Sequence, residues 1–236
     1  MISPSMADEL NEKQQQSVAL KEDVNALILA GAGSGKTRVL THRIHYLVST
    51  KNYHVDDILA VTFTNKAANE MKERLSELLR RPIGRMWVGT FHSLAHRLLR
   101  THPVEANLSP TFQILDAQDQ FRIVKRLMKE NGVDETKFPI KQVQWFINKQ
   151  KDEGILPHQI NAEHNYFVKQ SAKIFDLYEK YCQANDLVDF AGLLVKSYEL
   201  LKNNQSLLDH YQKKFRHILV DEFQDTNRIQ YQWIKL

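Results

Sequence analysis

The stretch Leu27-Ile-Leu-Ala-Gly-Ala-Gly-Ser-Gly-Lys-Thr37 joins an apolar run to a glycine-rich turn that ends in Lys-Thr, and an amphipathic segment follows it. Gly31, Gly33 and Gly35 can adopt backbone angles that are closed to other residues, so successive N–H groups can converge on one anion beside a helix N-terminus. A flexible spacer would not place Gly-Lys-Thr between a strand and a helix. The stretch therefore predicts a loop that binds the phosphates of a nucleotide.

The residues around this loop have distinct expected roles. Lys36 is expected to reach the β- and γ-phosphates, and the Thr37 hydroxyl to complete the coordination shell of a magnesium ion. The segment 26–29 is predicted to be a buried strand, and apolar residues at helical spacing follow the loop. Arg38 lies at the start of that helix, where a cation opposes the helix dipole unless an anion such as a nucleotide is bound. The first glycine of the common pattern is replaced by Ala30, which is still small enough for close approach.

The composition is that of an ordinary soluble globular protein. The chain has 236 residues, 42% hydrophobic and 25% charged, which is enough for one large or two small domains. A net charge of +4 and a pI near 9.0 suit a polyanionic partner without proving one. Cys182 is the single cysteine, which excludes a disulfide framework and favours a reducing cytoplasm. No stretch is long enough to span a bilayer, and residues 1–6 lack the features of an export signal.

Two further apolar runs are predicted to be strands that end in polar residues. Ile58–Thr62 continues into Phe63-Thr-Asn-Lys66 and then into an amphipathic helix. The carboxyl end of a strand is where α/β sheets place ligand contacts, so the turn 62–66 is a candidate contact site. Phe63 has two possible roles at this stage, as a ligand contact or as a core residue.

The other run, Met86–Phe91, is predicted to be a strand followed by a helix from His92. Thr90, His92 and Ser93 crowd the N-terminus of that helix. His92 and His96 lie four residues apart on one helix face, but the neighbouring glutamate of a metalloprotease helix is replaced by Ser93. The pattern favours phosphate contact or capping over a zinc site.

A third apolar run, His217–Val220, ends in the carboxylates of Asp221 and Glu222. In a parallel sheet such a run is buried on both faces, and the acids emerge at its carboxyl end beside the phosphate loop. This arrangement predicts Asp221 as a magnesium ligand and Glu222 as the base that activates water. An Asp-Glu pair alone means little, but together with Gly-Lys-Thr it is specific for nucleoside triphosphate hydrolysis.

Between these motifs, from about Phe112, helix follows helix with no strand of note. Caps or first-turn residues are predicted at Asp116, Pro139 and Asp189, and residues 167–182 form one long helix. The segment is far longer than the roughly 12 to 15 residues beyond which plain loops become uncommon, so it is predicted to be a helical insertion with its own core. Its lysines, which include Lys141, Lys149 and Lys151, give it basic character, although scattered lysines usually form only a solvated face.

Near the N-terminus, Asn11 and Gln14 match a helix capping box. The amide of Gln14 is both a donor and an acceptor, so it would equally suit the edge of an adenine base. This short stretch leaves the choice open.

Together these motifs resemble the UvrD/Rep/PcrA group of superfamily-1 DNA helicases. The resemblance extends from about Leu10 to Leu236, includes the segments 150–154 and 188–190, and covers Ala30, which is the usual residue in this family. It implies an α/β fold: a RecA-like P-loop NTPase with a parallel sheet and an inserted all-helical subdomain. The implied domains are residues 1–111 as the first part of subdomain 1A, 112–212 as subdomain 1B, and 213–236 as the continuation of 1A.

The resemblance also implies a role for each motif. Gln14 becomes the residue that recognises adenine, Lys36 and Glu222 act in catalysis, and Gln224 links the γ-phosphate to the DNA site. Mg²⁺ is held by Thr37 and Asp221. The ATP site comprises Gln14, Ala30, Gly31, Ala32, Gly33, Ser34, Gly35, Lys36, Thr37 and Arg38. The single-stranded DNA path comprises Thr62, Phe63, Thr64, Asn65, Lys66, Thr90, Phe91, His92 and Ser93, with Phe63 stacked on a base.

The implied function is that of a cytoplasmic ATP-dependent helicase and translocase on single-stranded DNA and single/double-strand junctions, of the repair or replication type. The family places further ATP-site residues, a second RecA-like domain and a 2B subdomain after the carboxylate motif. These 236 residues are therefore expected to be an amino-terminal portion with little or no DNA-stimulated hydrolysis or unwinding alone. One alternative is a module that binds nucleotide or DNA without turnover. A regulatory GTPase is disfavoured because no Asn-Lys-x-Asp motif occurs and Gln14 suits adenine.

Overall fold

A computed structural model describes residues 9–31, 33–161 and 165–236. The predicted phosphate-loop residue Ala32 and the segment 1–6 lie outside the described residues. The chain forms two compact units. The first, called the sheet unit below, comprises Met1–Leu94 and Asp209–Asp225; the second, the helical unit, comprises Ala95–Leu208 and Thr226–Leu236. The boundaries predicted from the sequence, at residues 111 and 212, refer to the subdomains of the family. They stay a prediction.

Helices and strands follow one another in mixed order along the described part of the chain. They are α1 (Glu12–Val18), α2 (Lys36–Ser49), β1 (Ile58–Thr62), α3 (Asn65–Leu79), β2 (Trp87–Thr90), α4 (Phe91–Thr101), β3 (Gln113–Leu115), α5 (Ala117–Glu130), α6 (Ile140–Asp152), α7 (Tyr166–Ala184), β4 (Leu187–Asp189), α8 (Phe190–Asn203), α9 (Gln205–Lys214), β5 (His217–Val220) and α10 (Arg228–Lys235). Among the described residues, no helix is long and apolar enough to cross a membrane.

The sheet unit is built on a three-stranded parallel sheet in the order β2-β1-β5. The central strand β1 is buried along its whole length, as its apolar composition predicts. Its residues Ile58 and Ala60 share an apolar core with residues of α2 and α3, among them Ile44, Leu47, Met71 and Leu75. Since β1 and β5 are paired and parallel, the carboxyl ends of both strands lie at the same edge of the sheet.

The segment before the phosphate loop is not the buried strand that the sequence predicts. Residues 24–30 have no strand structure, and Leu27 and Leu29 are 64% and 85% exposed. A buried strand needs an edge for its hydrogen bonds and a surface that covers its side chains. No described residue pairs with this segment in a strand ladder, so its apolar character alone does not make it a strand.

The strand β5 also differs from its predicted environment. The sequence predicts a run buried on both faces, but Ile218 is 43% exposed and the other residues of β5 are half-buried. Unlike β1, which has a partner on each side, β5 is paired only with β1 in the described sheet. β2, at the other edge, is largely buried, with its Trp87 packed against Tyr211 of α9, whereas Ile218 of β5 lacks such a cover in the described part of the chain.

The helical unit contains the predicted helices and one feature that the sequence analysis missed. Asp116 and Asp189 accept hydrogen bonds as N-caps of α5 and α8, and Pro139 precedes α6, so these helix starts are confirmed. The unit is not entirely helical, because β3 and β4 form a two-stranded parallel ladder. Each of these strands has only three residues, which is too short for periodicity to reveal.

A buried ionic cluster joins three helices of this unit. Asp189 accepts hydrogen bonds from Lys151 Nζ at 2.7 Å, Tyr178 OH at 2.7 Å and Gln120 Nε2 at 3.1 Å, and Lys151 also pairs with Glu179 at 2.6 Å. The side chains of Lys151 and Asp189 are each 4% exposed. The expected solvated face therefore does not include Lys151.

The pKa values of this pair are shifted in opposite directions. Burial alone would raise the pKa of Asp189, but the Lys151 ammonium and the surrounding donors outweigh burial and lower it. Burial alone would lower the pKa of Lys151, but Asp189 and Glu179 raise it. Both shifts favour the charged forms, so the pair is held as ions inside the folded unit.

We expect Asp189→Asn to lower the free energy of unfolding by about 3 kcal/mol, because it leaves the buried Lys151 charge with Glu179 as its single remaining ionic partner among the described residues. Asparagine keeps the N-cap function, so the loss reports on the charge. The measurement is denaturant unfolding at neutral pH. Asp176→Asn, which removes an exposed i,i+4 partner of Lys180, is the matched control and should cost no more than about 0.5 kcal/mol. Equal losses of stability in the two variants would show that the buried Lys151–Asp189 pair stabilises the fold no more than the exposed Lys180–Asp176 pair does.

The pH dependence follows from the direction of each shift. The contribution of Asp189 is present above its unfolded pKa of about 3.9 and is lost as the pH falls through the lowered folded pKa. The contribution of Lys151 is present below its unfolded pKa of about 10.4 and is lost as the pH rises through the raised folded pKa. The difference in stability between the wild-type chain and Asp189→Asn should therefore be constant at intermediate pH and shrink in acid.

Candidate functional site

The glycine-rich loop enters α2 through residues with left-handed backbone angles. Gly33 has φ +74° and Gly35 has φ +85°, whereas Gly31 does not have a left-handed φ. Gly35 is the N-cap residue of α2 and makes no side-chain capping bond, and no acidic residue lies in the first turn. The first N–H groups of this helix are therefore available to an anion.

The predicted phosphate ligand Lys36 lies over this loop. Its Nζ donates to the carbonyl oxygens of Ala30 at 3.1 Å and Gly31 at 3.2 Å. Ser34 Oγ also donates to the Gly31 carbonyl, at 2.7 Å, which closes the loop on itself. Arg38 is exposed in the first turn of α2. The cationic side chains of Lys36 and Arg38 thus lie in the first turn of α2, where the helix N-terminus favours negative charge.

The structure brings together the two predicted magnesium ligands, which are distant in sequence. Thr37 Oγ1 donates to Asp221 Oδ2 at 2.9 Å. Asp221 is 7% exposed, and its backbone N–H donates to the carbonyl of Val61 in the neighbouring strand β1. Pairing between β1 and β5 therefore places this carboxylate at the start of α2.

Glu222 and Gln224 lie next to this pair along the chain. Glu222 has a left-handed φ of +52°, which is uncommon outside glycine and costs free energy. Gln224 Nε2 donates to Glu222 Oε2. The carboxylate of Glu222 is thus oriented by a neighbouring amide directly after the buried Asp221.

Gln14 forms the predicted cap, and its side chain also contacts the glycine-rich loop. Asn11 and Gln14 form both arms of the capping box of α1, which confirms the capping interpretation. The same Gln14 amide donates through Nε2 to the carbonyl of Ser34 at 2.9 Å. A Cβ at Gly35 would lie 2.9 Å from Gln14 Nε2, and the left-handed φ of Gly35 also disfavours other residues there. Capping and contact with the phosphate loop therefore do not exclude each other.

The predicted DNA-contacting residues lie at the carboxyl ends of β1 and β2 in the sheet unit. Thr64 is the N-cap of α3 and accepts from the N–H of Ala67, and Asn65 and Lys66 are exposed beside it. Phe63 is half-buried and packs edge-on against Phe91, with ring centroids 5.6 Å apart. Part of the Phe63 side chain therefore stays accessible.

Two of the residues predicted to contact DNA, Thr62 and Phe91, are buried inside the sheet unit. Phe91 is 1% exposed and Thr62 is fully buried, and the Thr62 hydroxyl donates to the Thr64 carbonyl at 3.2 Å. At the other strand end, Thr90 Oγ1 accepts from the N–H of Ser93, and Ser93 Oγ donates to the Thr90 carbonyl. The local geometry here is that of a helix cap, one of the two roles that the sequence favoured.

The two histidines of α4, His92 and His96, both have shifted pKa values. Burial lowers the pKa of His92, and burial together with Arg100 lowers the pKa of His96, so both imidazoles favour the neutral form. Among the described residues, no three His, Cys, Asp or Glu side chains are grouped so that they could hold a metal ion.

Sequence analysis missed two residues that shape this region. Gly89 allows close approach, since a Cβ there would lie 2.5 Å from Ser93 Oγ and 3.3 Å from Leu94. Arg43 donates to the backbone carbonyls of Val18, the last residue of α1, and of Leu20. The signal for Arg43 was present in the sequence: it lies four residues from both Val39 and Leu47, which are buried, and a polar residue on a buried helix face needs a partner.

A parallel sheet, a glycine-rich loop that enters a helix at Lys-Thr, and a strand-end carboxylate bonded to that threonine define a P-loop NTPase of the RecA-like class. Residues 10–236 match the family model described as the UvrD/REP helicase N-terminal domain. The chain belongs to this family, which confirms the resemblance and the fold class inferred from the motifs.

Individual relatives agree with this assignment. The chain is 52% identical over 231 residues to DNA helicase II of Escherichia coli and 50% identical over 235 residues to DNA helicase II of Haemophilus influenzae. It is 39% identical over 235 residues to the ATP-dependent DNA helicase PcrA of Bacillus subtilis. These alignments cover 98 to 99% of this chain but 32% of each relative. The chain therefore spans about a third of the length of the relatives that it matches.

Proposed function

We propose that this chain is the amino-terminal, ATP- and DNA-binding portion of an ATP-dependent DNA helicase that translocates on single-stranded DNA. The observation that supports this most directly is the 2.9 Å hydrogen bond between Thr37 and Asp221, which are 184 residues apart in sequence. It joins the phosphate loop to the carboxylate motif at one edge of a parallel sheet. The names of the relatives, DNA helicase II and ATP-dependent DNA helicase PcrA, agree with this function.

The residues present fit ATP and Mg²⁺. The N-terminus of α2 offers N–H groups without a side-chain cap, and Lys36 adds a cation beside it. Thr37 and Asp221 supply the oxygen donors that magnesium prefers. When bound, the metal ion would neutralise charge that develops on the phosphates. Thr37 and Asp221 would hold that ion, and Lys36 would hold the phosphates.

The remaining roles in this proposal belong to the groups around the loop. Glu222 accepts a proton from the attacking water, and Gln224, which bonds to Glu222, keeps that carboxylate oriented. Gln14 recognises the adenine edge from its position against Ser34. Phe63, Asn65 and Lys66 contact single-stranded DNA at the adjacent strand ends. Because phosphate contacts contribute much of such binding, DNA affinity should fall with salt.

The second candidate is a module that binds nucleotide or DNA without turnover. Two preparations distinguish the proposals: these 236 residues, and a protein extended to the length of its relatives. In our proposal the longer protein hydrolyses ATP with stimulation by single-stranded DNA, whereas the 236 residues bind nucleotide with little DNA-stimulated turnover and no unwinding of a tailed duplex. Binding without turnover in the longer protein would favour the second candidate.

We expect Phe63→Ala to weaken single-stranded DNA binding by roughly 1 to 3 kcal/mol, the usual range for one lost base–aromatic stack. The effect should depend little on DNA sequence, since every base has a π-face. The measurement is fluorescence anisotropy with labelled oligonucleotides of mixed sequence. Phe63→Trp should restore binding because it keeps a stacking surface. If Phe63→Ala unfolds at lower temperature while Phe63→Trp does not recover DNA binding, Phe63 belongs to the core with Phe91.

A further inference from the structure

The guanidinium of Arg43 in α2 binds the last residue of α1 and the chain that follows it. Its Nη1 donates to the carbonyl oxygens of Val18 at 2.8 Å and Leu20 at 2.6 Å, and its Nη2 donates to that of Lys21 at 3.3 Å. The side chain is half-buried, and an arginine remains charged in such a position. One side chain of the phosphate-loop helix thus serves three carbonyl groups at the C-terminal end of α1.

The helix α1 needs support of this kind. It has seven residues, fewer than the roughly 12 to 15 at which an isolated helix becomes even marginally stable. Its last turn contains no basic residue of its own, so the cation near its C-terminus comes from Arg43. Apolar contacts between α1 and α2 are supplied by a small cluster: Leu10, Val18, Val39 and Tyr46.

The position of the Gln14 amide depends on where α1 lies. Gln14 Oε1 accepts from the N–H of Asn11 at 3.0 Å, and Nε2 donates to Ser34 at 2.9 Å. A Cβ at Gly35 would come within 2.9 Å of the same Nε2. Because the bond from Asn11 fixes the amide to α1 itself, a movement of α1 along α2 would displace the amide from Ser34.

We propose that Arg43 is a positioning residue for base recognition, which acts by holding α1 so that the Gln14 amide stays aligned with the phosphate-binding loop. This inference rests on the proposed function, because it assigns base recognition to Gln14. Arg43 acts through α1, whereas the phosphates are held by the loop and Lys36. The loss of Arg43 should therefore weaken recognition of the base and leave binding of the phosphates intact.

The test is equilibrium binding of ATP, GTP and inorganic tripolyphosphate, each with Mg²⁺, to the 236-residue chain. The wild-type chain should prefer ATP to GTP. Arg43→Met keeps an apolar stem and removes the donors, and it should lower ATP affinity about tenfold, the value of one well-placed hydrogen bond. The preference for ATP over GTP should disappear, and tripolyphosphate affinity should change by less than about twofold, since no phosphate contact is removed.

Three further variants make the test specific. Arg74→Met, on the exposed face of α3 in the same unit, is the matched control and should bind all three ligands as the wild-type chain does. Arg43→Lys keeps one cationic donor group in place of the planar fork, so its loss of ATP affinity should be intermediate. It also serves as the test variant if Arg43→Met does not fold. Gln14→Ala combined with Arg43→Met should be no worse for ATP than Gln14→Ala alone, because both changes remove the same contact.

Two results would overturn the proposal. One is an equal loss of affinity for ATP, GTP and tripolyphosphate in Arg43→Met, which would mean that Arg43 supports the site as a whole. The other is additive losses in the double variant, which would mean that Arg43 does not act through Gln14. Failure of the wild-type chain to bind both ATP and tripolyphosphate would contradict the proposed function itself, and the two failures are therefore distinguishable.

Discussion

Lys36→Ala should lower the affinity of the chain for ATP by a factor on the order of 10² to 10⁴. A hydrogen bond to a charged group contributes about 1.5 to 3 kcal/mol, and we assign Lys36 one such bond to each of the β- and γ-phosphates. The expected loss is therefore about 3 to 6 kcal/mol, which converts to this factor at about 1.4 kcal/mol for each tenfold change. Lys36 already lies over the loop, where its Nζ contacts the carbonyls of Ala30 and Gly31.

Titration calorimetry with ATP and Mg²⁺ on the 236-residue chain provides the measurement. Lys72→Ala is the matched control, since Lys72 is an exposed lysine on α3 of the same unit, and its ATP affinity should equal that of the wild-type chain. Lys36→Arg keeps the charge but presents a planar fork in place of a compact ammonium, so it should recover only part of the affinity. If Lys36→Ala binds ATP within about threefold of the wild-type chain, a difference below 1 kcal/mol, the loop does not hold phosphate as proposed.

Local sequence patterns predicted several structural elements of the candidate site, because each of these elements depends on residues close together in sequence. Gly-Lys-Thr predicted the loop before α2, and Asn11 with Gln14 predicted a cap that the structure contains. The position of Asp221 beside Thr37 also followed from a general rule, that carboxyl ends of parallel strands meet at one edge of a sheet. In each case a short segment and one rule of topology were sufficient.

The features that could not be predicted depend on distant partners. Leu27 and Leu29 form part of an apolar run, yet they are exposed, because burial requires a strand edge and a covering surface that no short window of sequence contains. In the sequence Lys151 resembles a surface lysine, yet it is buried because Asp189 of β4 and Glu179 of α7 both pair with it. Arg43 likewise finds its carbonyl partners outside its own helix. Sequence patterns indicate which apolar or charged side chains need a packing, ionic or hydrogen-bond partner. They do not indicate which distant residue supplies that partner.

In a protein extended to the length of its relatives, Glu222→Gln should lower DNA-stimulated ATP hydrolysis by a factor of about 10² to 10⁴, the range that general base catalysis contributes. Glutamine has the shape of glutamate but cannot accept a proton from water. Glu222 is placed for this role, since it follows the buried Asp221 and its carboxylate accepts from Gln224 Nε2. The left-handed backbone angle at position 222 should be the same with glutamate and with glutamine. The substitution therefore changes the chemistry of the side chain and leaves the turn unchanged.

Single-turnover hydrolysis and equilibrium ATP binding, measured on the same preparation, separate this role from a role in binding. ATP affinity in Glu222→Gln should stay within about threefold of the wild-type value, because Lys36, Thr37 and Asp221 hold the phosphates and the metal in our proposal. Glu73→Gln, an exposed glutamate on α3, is the matched control and should leave both quantities unchanged. A variant that loses turnover and ATP binding equally would make Glu222 a binding residue. A variant that still hydrolyses ATP at the wild-type rate would place the base on another side chain, and the strained turn after Asp221 would then need a different explanation.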